Sequence, residues 1–231
     1  QRQMCIRDRF YLANGCTYFG KDGKDNSAGV DIKGDKGTQA TKALVALVNN
    51  PNFVNDLQGV GIAGLRDGSV GAYFSGSWDY KSVKEILGDN FGAVSLPTVK
   101  INGTDKQLKA FAGSKAIAVN PNCKYQQVAV ALAKYLGGKD AQAKHYELRN
   151  VIPCNTELLA TDVIKKDALV SAQNDTFNKT SVIQPTVTGM NAYWTPAQNF
   201  AKAIVNGEVT ADNAEAKTLD FYNQINTSIV K

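Results

Sequence analysis

Apolar positions along this chain fall into short blocks that alternate between helical and strand-like spacing, the rhythm of a layered α/β protein. Residues 10–19 read as a helix end running into a turn-rich loop, Asn14-Gly15-Cys16 and then Phe19-Gly20-Lys21-Asp22-Gly23. Residues 37–50 keep helical spacing at Ala40, Leu44, Leu47 and Val48 until Pro51 stops the run. A helix over 59–67 is predicted to deliver the chain into a strand over 70–75. Trp78 opens the next helix, with Val83, Ile86 and Leu87 on one face and Gly88-Asp89-Asn90 at its end. A strand over 91–96 closes at Pro97, and Asn102-Gly103 marks a hairpin turn leading into 107–111. Residues 115–119 form another strand candidate. An amphipathic helix follows, with Tyr125, Val128, Leu132, Ala133 and Leu136 on one face and Gly137-Gly138 at its end. Helices are further predicted over 140–149, 161–174, 193–206 and 212–229.

Composition narrows what such a chain can do. Its 231 residues suffice for one large domain or two modest ones. No run approaches the roughly eighteen consecutive apolar residues of a membrane helix. The net charge of +5 is mild and the lysines are scattered singly, which argues against nucleic acid as a partner. Four cysteines show neither a CxxC pair nor a zinc-like spacing with His, so neither a metal site nor a disulfide framework is indicated. Cys16, Cys123 and Cys154 read as small buried or half-buried thiols. No cofactor is indicated.

Residues 1–9, Gln-Arg-Gln-Met-Cys-Ile-Arg-Asp-Arg, are dense in arginine, whereas the rest of the chain uses lysine apart from Arg66 and Arg149. They lack the apolar centre of a secretion signal and read as a non-native leader. On that reading the native sequence starts near Phe10, and upstream sequence is missing.

Two tryptophans are all the chain has. Trp78 lies in Ser75-Gly76-Ser77-Trp78-Asp79-Tyr80, and Trp194 in Met190-Asn191-Ala192-Tyr193-Trp194-Thr195-Pro196. A Trp beside Gly, Pro or Tyr at an element's end is placed to show its flat face to a ligand. It is also a common half-buried anchor, so the two readings stand together.

The order of motifs carries a resemblance. It runs from Asn14-Gly15 through Arg66-Asp67-Gly68-Ser69-Val70-Gly71-Ala72-Tyr73, Ser75-Gly76-Ser77-Trp78 and Phe91-Gly92-Ala93-Val94 with Leu96-Pro97. It continues through Phe111-Ala112-Gly113-Ser114, Asn120-Pro121-Asn122, the 125–136 helix, 150–153, Gln184-Pro185 and the Trp194 motif. In this order, from about Phe10 to the C-terminus, the chain resembles the C-terminal part of the maltose/maltodextrin-type sugar-binding proteins of bacterial ABC importers, the family-1 extracellular solute-binding proteins.

The resemblance implies an α/β, two-lobed periplasmic-binding-protein-like (type II) fold, of which this chain holds mostly the C-terminal lobe and a segment of the N-terminal lobe. Residues 10–111 and 165–231 would belong to the C-terminal lobe and 112–164 to the N-terminal lobe. Sugar would lie in the cleft, with Trp78 and Trp194 stacking on pyranose faces. Tyr193 sits beside Trp194 in the ligand-binding set, and Asp79, Tyr80, Gln184 and Gln198 would reach hydroxyls. Gln184 stands where maltodextrin binders often carry Met, and Gln198 where Arg is frequent, which leaves the sugar open. Asp79 and Gln198 lie in first turns of helices, where caps and solvated side chains are equally common.

The resemblance also implies a monomer that is exported, free in a periplasm or outside the cell or tethered by an N-terminal lipid. Its partners would be an oligosaccharide and the importer's two membrane permease subunits. Against this stand two other readings. A glycoside-acting enzyme needs two carboxylates across a scissile bond, and near the tryptophans only Asp79 and Glu85 qualify. A fragment lacking most of one lobe would do neither, exposing residues 115–119 and the apolar face of 125–136 and binding sugar weakly.

Overall fold

The computed structural model describes residues 4–55 and 59–229. In chain order come α1 (Met4–Ala13), β1 (Thr17–Tyr18), β2 (Val30–Asp31), α2 (Gly34–Val48), α3 (Val60–Asp67), α4 (Tyr80–Leu87), β3 (Thr98–Ile101), β4 (Thr104–Gln107) and β5 (Ala110–Ala112). There follow α5 (Gln126–Leu136), α6 (Lys139–Arg149), α7 (Thr156–Leu159), α8 (Asp162–Lys165), α9 (Ala168–Thr180), β6 (Ser181–Ile183), α10 (Met190–Val205) and α11 (Ala214–Ile229).

The long periodic runs are helices as expected, with ends shifted by at most three residues. The exception is 161–174, which divides into α8 and α9. Asp167 causes the break: its Oδ1 accepts from the backbone N–H groups of Leu169 (2.8 Å) and Val170 (3.3 Å), starting a new helix there. The Asn102-Gly103 turn closes the antiparallel β3–β4 hairpin, both residues at positive φ (49° and 74°), the backbone a two-residue primed turn requires. The strands expected over 70–75, 91–96 and 115–119 do not form. An apolar run states that a segment has a face to bury, but a strand exists only through a ladder partner, which short runs do not encode.

Two compact units divide the chain. Unit 1 comprises Gln1–Phe74, Leu96–Ala112 and Thr176–Lys231, and unit 2 comprises Ser75–Ser95 and Gly113–Asp175. This differs from the lobe segments 10–111, 112–164 and 165–231 chiefly in Ser75–Ser95, expected within the first segment, which groups with Gly113–Asp175. The Tyr80 and Phe91 rings meet edge-on at 5.3 Å. Together with Val163, Lys166 and Asp167 they line a cavity of about 320 Å³, which accounts for that grouping.

Unit 1 holds the larger core, built from α1, α2, α10 and α11 around Tyr11, Phe19, Ile32, Tyr193, Phe200 and Phe221. Phe200 and Phe221 stack at 4.5 Å with planes 4° apart. A buried hydroxyl chain joins three helices: Tyr11 to Thr41 at 2.6 Å and Thr41 to Thr218 at 2.6 Å. The Asn226 side chain closes on β2, accepting from the Val30 N–H (2.9 Å) and donating to its carbonyl (3.1 Å). β5 and β6 pair in parallel, Phe111 opposite Val182.

Of the residues read as a leader, 1–3 lie outside the described residues. Met4 begins α1, and Arg7, Asp8 and Arg9 are buried in unit 1. Arg7 pairs with Asp8 at 2.6 Å and lies over the Tyr193 ring at 5.3 Å. Of the thiols, Cys16 is buried, Cys123 intermediate and Cys154 exposed, the last a correction to its reading as a buried or half-buried side chain. Cys154 sits in a loop whose backbone N–H is held by Gln142 at 2.8 Å, leaving the thiol outside.

Burial pushes the phenols of Tyr11, Tyr18 and Tyr193 well above the usual tyrosine range. A phenol whose folded pKa lies above its unfolded one contributes stability that is complete below the unfolded value and lost as pH rises. Unit 1 is therefore expected to weaken as pH climbs past about 10, with tyrosinate absorbance and loss of far-ultraviolet circular dichroism (CD) rising together. Ionisation of every tyrosine at a pH where the CD signal is still intact would contradict this.

Unit 2 has a smaller core of Leu158, Ile164 and Val170, against which Ala143, Tyr146 and Ile152 pack. The Tyr146 hydroxyl donates to Asp167 at 2.6 Å. The apolar face of α5 is not part of this core: Val128 is 67% and Tyr135 69% exposed. Residues 115–118 are exposed as well.

Candidate functional site

Trp78 sits in a single 3-10 turn, Ser77–Asp79, directly ahead of α4. The Asp79 N–H donates to the Gly76 carbonyl at 3.1 Å, and the Ser75 hydroxyl donates to the Asp79 carboxylate. This ties the loop closed beneath Trp78. Asp79 is 5% exposed and Trp78 63%, so the turn buries the acid and displays the indole. Asp79, expected to reach a sugar hydroxyl, is enclosed here with its carboxylate engaged by Ser75. Tyr80, also considered for hydroxyl contact, turns its ring to Phe91.

Trp194 lies in the first turns of α10. The helix starts where the Gly189 N–H donates to Asn26 at 2.8 Å. A Cβ on Gly189 would stand 2.7 Å from the Phe19 ring and 3.0 Å from Ile229, so only glycine lets the helix approach this closely. Tyr193 points inward: it is fully buried, its hydroxyl is shared between Asp8 and Tyr18, and its ring meets Tyr18 edge-on at 5.1 Å. Although it is one of the expected ligand-contact residues, nothing of it reaches the surface of unit 1 here. Instead it supports Trp194, whose ring meets it at 5.4 Å and 67°. Trp194 is half-buried against the core.

Gln198 lies four residues beyond Trp194 on the same face of α10 and is half-buried. Gln184 is exposed just after β6, its backbone N–H donating to the Ala112 carbonyl at 2.9 Å. The structure thus brings Trp194 and Gln198 together in unit 1 and Trp78 and Asp79 together in unit 2. Sequence reasoning missed the supporting residues. Gly76 carries a faint signal, a glycine two positions before an exposed Trp. The pairing of Tyr18 with Tyr193, 175 residues apart, carries none.

Among the described residues no cluster of three or more His, Cys, Asp or Glu side chains could hold a metal ion. Among the same residues no helix is long and apolar enough to cross a membrane.

Residues 8–172 match the family described as bacterial extracellular solute-binding protein, more than half of the chain. The chain belongs to this family. A maltooligosaccharide ABC transporter solute-binding lipoprotein of Streptococcus pneumoniae R6 is 27% identical over 205 residues, 87% of this chain and 47% of that protein. A galactooligosaccharide-binding protein of Bacillus subtilis is 24% identical over 224 residues, 91% of this chain and 52% of that protein. A protein whose structure was solved with acarbose is 48% identical at a TM-score of 0.90, covering 100% of this chain and 61% of that chain. The chain therefore spans about half the length of the curated relatives it matches. Its fold is part of the two-lobed, type II periplasmic-binding-protein-like α/β architecture.

Proposed function

We propose that the whole protein is the sugar-binding component of an ABC importer and takes maltooligosaccharide-like ligands by stacking pyranose rings on Trp78 and Trp194. The observation that carries this is the 48% identity, over all of this chain, to a protein solved with acarbose. The side chains suit the chemistry. A pyranose presents an apolar face of C–H groups and a rim of hydroxyls, which call for an aromatic platform beside neutral donors and acceptors. Trp78 supplies an open indole, and Trp194 a half-buried one with the Gln198 amide on its helix face. Gln184, exposed at the end of β6, offers a second amide for sugar hydroxyls. Binding closes the two lobes of such a protein around its ligand.

The reading is of a binding protein and not an enzyme. Asp79, the acid nearest Trp78, is enclosed by Ser75, while Glu85 is exposed on α4, an arrangement poor for two carboxylates flanking one glycosidic bond. The protein would act outside the cytoplasmic membrane as a monomer, free or lipid-tethered, handing sugar to the importer's permease subunits.

Calorimetric titration of the whole protein with maltotriose, followed by chromatography of the sugar, tests this. Saturable binding with maltotriose recovered intact is the expected result. Release of glucose or maltose overturns the binding-only reading, and saturable binding of galactooligosaccharides without binding of maltotriose overturns the choice of sugar.

A further inference from the structure

The Trp78 indole folds back over Gly76. A Cβ placed on Gly76 would stand 2.5 Å from Cη2 and 2.8 Å from Cε3 of that ring, and in collision with Cζ3 between them. The three nearest atoms that such a Cβ would meet all belong to the benzo ring of the indole, so the Trp78 side chain by itself demands a small residue here. Its backbone gives no other reason for glycine, since φ −133° and ψ −178° are extended values open to any residue. The surrounding bonds hold this arrangement: Gly76 accepts from the Asp79 N–H, and Asp79 accepts from the Ser75 hydroxyl. One face of the ring is thus seated on the glycine while 63% of the residue remains open.

We infer that Gly76 is a positioning residue, the seat that fixes the plane of Trp78 before ligand arrives, with Ser75 and Asp79 as the clasp that keeps the seat in place. The inference rests on the stacking role proposed for Trp78. A ring held in one orientation loses little side-chain freedom when a sugar stacks on it, so seating converts into affinity. Substituting Gly76 with alanine lifts the indole off its seat while leaving the backbone unstrained and the unit 2 core of Leu158, Ile164 and Val170 untouched.

The test uses the whole protein with Trp194→Phe and with phenylalanine at any tryptophan outside this chain, which leaves Trp78 as its sole tryptophan. Gly76→Ala in this background is expected to weaken the near-ultraviolet CD band of Trp78 and raise its quenching by acrylamide, with the urea midpoint unchanged. With Trp194 restored, Gly76→Ala is expected to weaken maltotriose binding roughly three- to tenfold. The same change should have no further effect once Trp78→Ala is present, because the pair act as one unit. Unchanged CD and quenching in Gly76→Ala overturn the seat, and they do so without reference to sugar. An equal loss of affinity from Gly76→Ala with and without Trp78 overturns it too, since the glycine would then act on something other than the indole. Affinity that survives Trp78→Ala strikes at the stacking reading instead, and the spectra alone then decide the seat.

Discussion

Phe221→Ala is expected to destabilise unit 1 by about 3–5 kcal/mol, the range found when a fully buried aromatic ring is truncated and its cavity only partly collapses. Phe221 is 1% exposed, and its ring is the hub of the unit's aromatic core. It stacks on Phe200 at 4.5 Å and faces Tyr11 and Tyr193 at 6.3 and 6.2 Å. Removing it therefore loosens α1, α10 and α11 at once. A urea titration followed by far-ultraviolet CD reads the change directly. A loss below about 1 kcal/mol would place the ring outside the cooperative core. Because Tyr193 rests on Phe221 and Trp194 on Tyr193, the variant should also blunt the near-ultraviolet CD of Trp194.

Trp78→Ala and Trp194→Ala should each weaken maltooligosaccharide binding about tenfold or more, which corresponds to roughly 1.4 kcal/mol or more. Their effects on stability should differ. Trp78 is 63% exposed and is not part of the unit 2 core of Leu158, Ile164 and Val170, so the urea midpoint should hold. Trp194 packs against Tyr193 and the unit 1 core, so its truncation should also lower stability, by about 1–2 kcal/mol. Trp194→Phe, which keeps a ring in the same packing, should restore most of that stability while leaving a narrower stacking surface. Calorimetry and urea titration on the same preparations separate the two quantities. Unchanged affinity in both alanine variants would remove stacking as the mode of recognition.

What the sequence made legible is local. Helices α2, α5, α10 and α11 are visible in their periodicity because each buries, or has an apolar face ready to bury, a stripe recurring every three to four residues. The β3–β4 turn was visible because Asn-Gly is one of few pairs that enter positive φ cheaply. Strand partners were not visible. β5 pairs with β6 some seventy residues later, and no feature of Ala110–Ala112 names Ser181–Ile183 as its neighbour. The candidate site divides the same way. The two indoles stand out by rarity and by the glycine, tyrosine and proline beside them. Which of their neighbours face ligand depends on a helical turn or a hydroxyl partner. Tyr193 and Trp194 are adjacent in sequence, yet one is fully buried and the other half open. Asp79 looked available because the Ser75 hydroxyl that engages it is a contact that only the folded turn creates.

The bond between Asn226 and Val30 has a kinetic consequence. It joins residues 196 positions apart, and the core it seals takes helices from both ends of the chain. Closing so long a loop is slow, and it cannot begin until α11 has been made. The larger core therefore depends on contacts of high sequence separation and forms only once the segments that carry β2 and α11 are both present, which places its assembly late in folding.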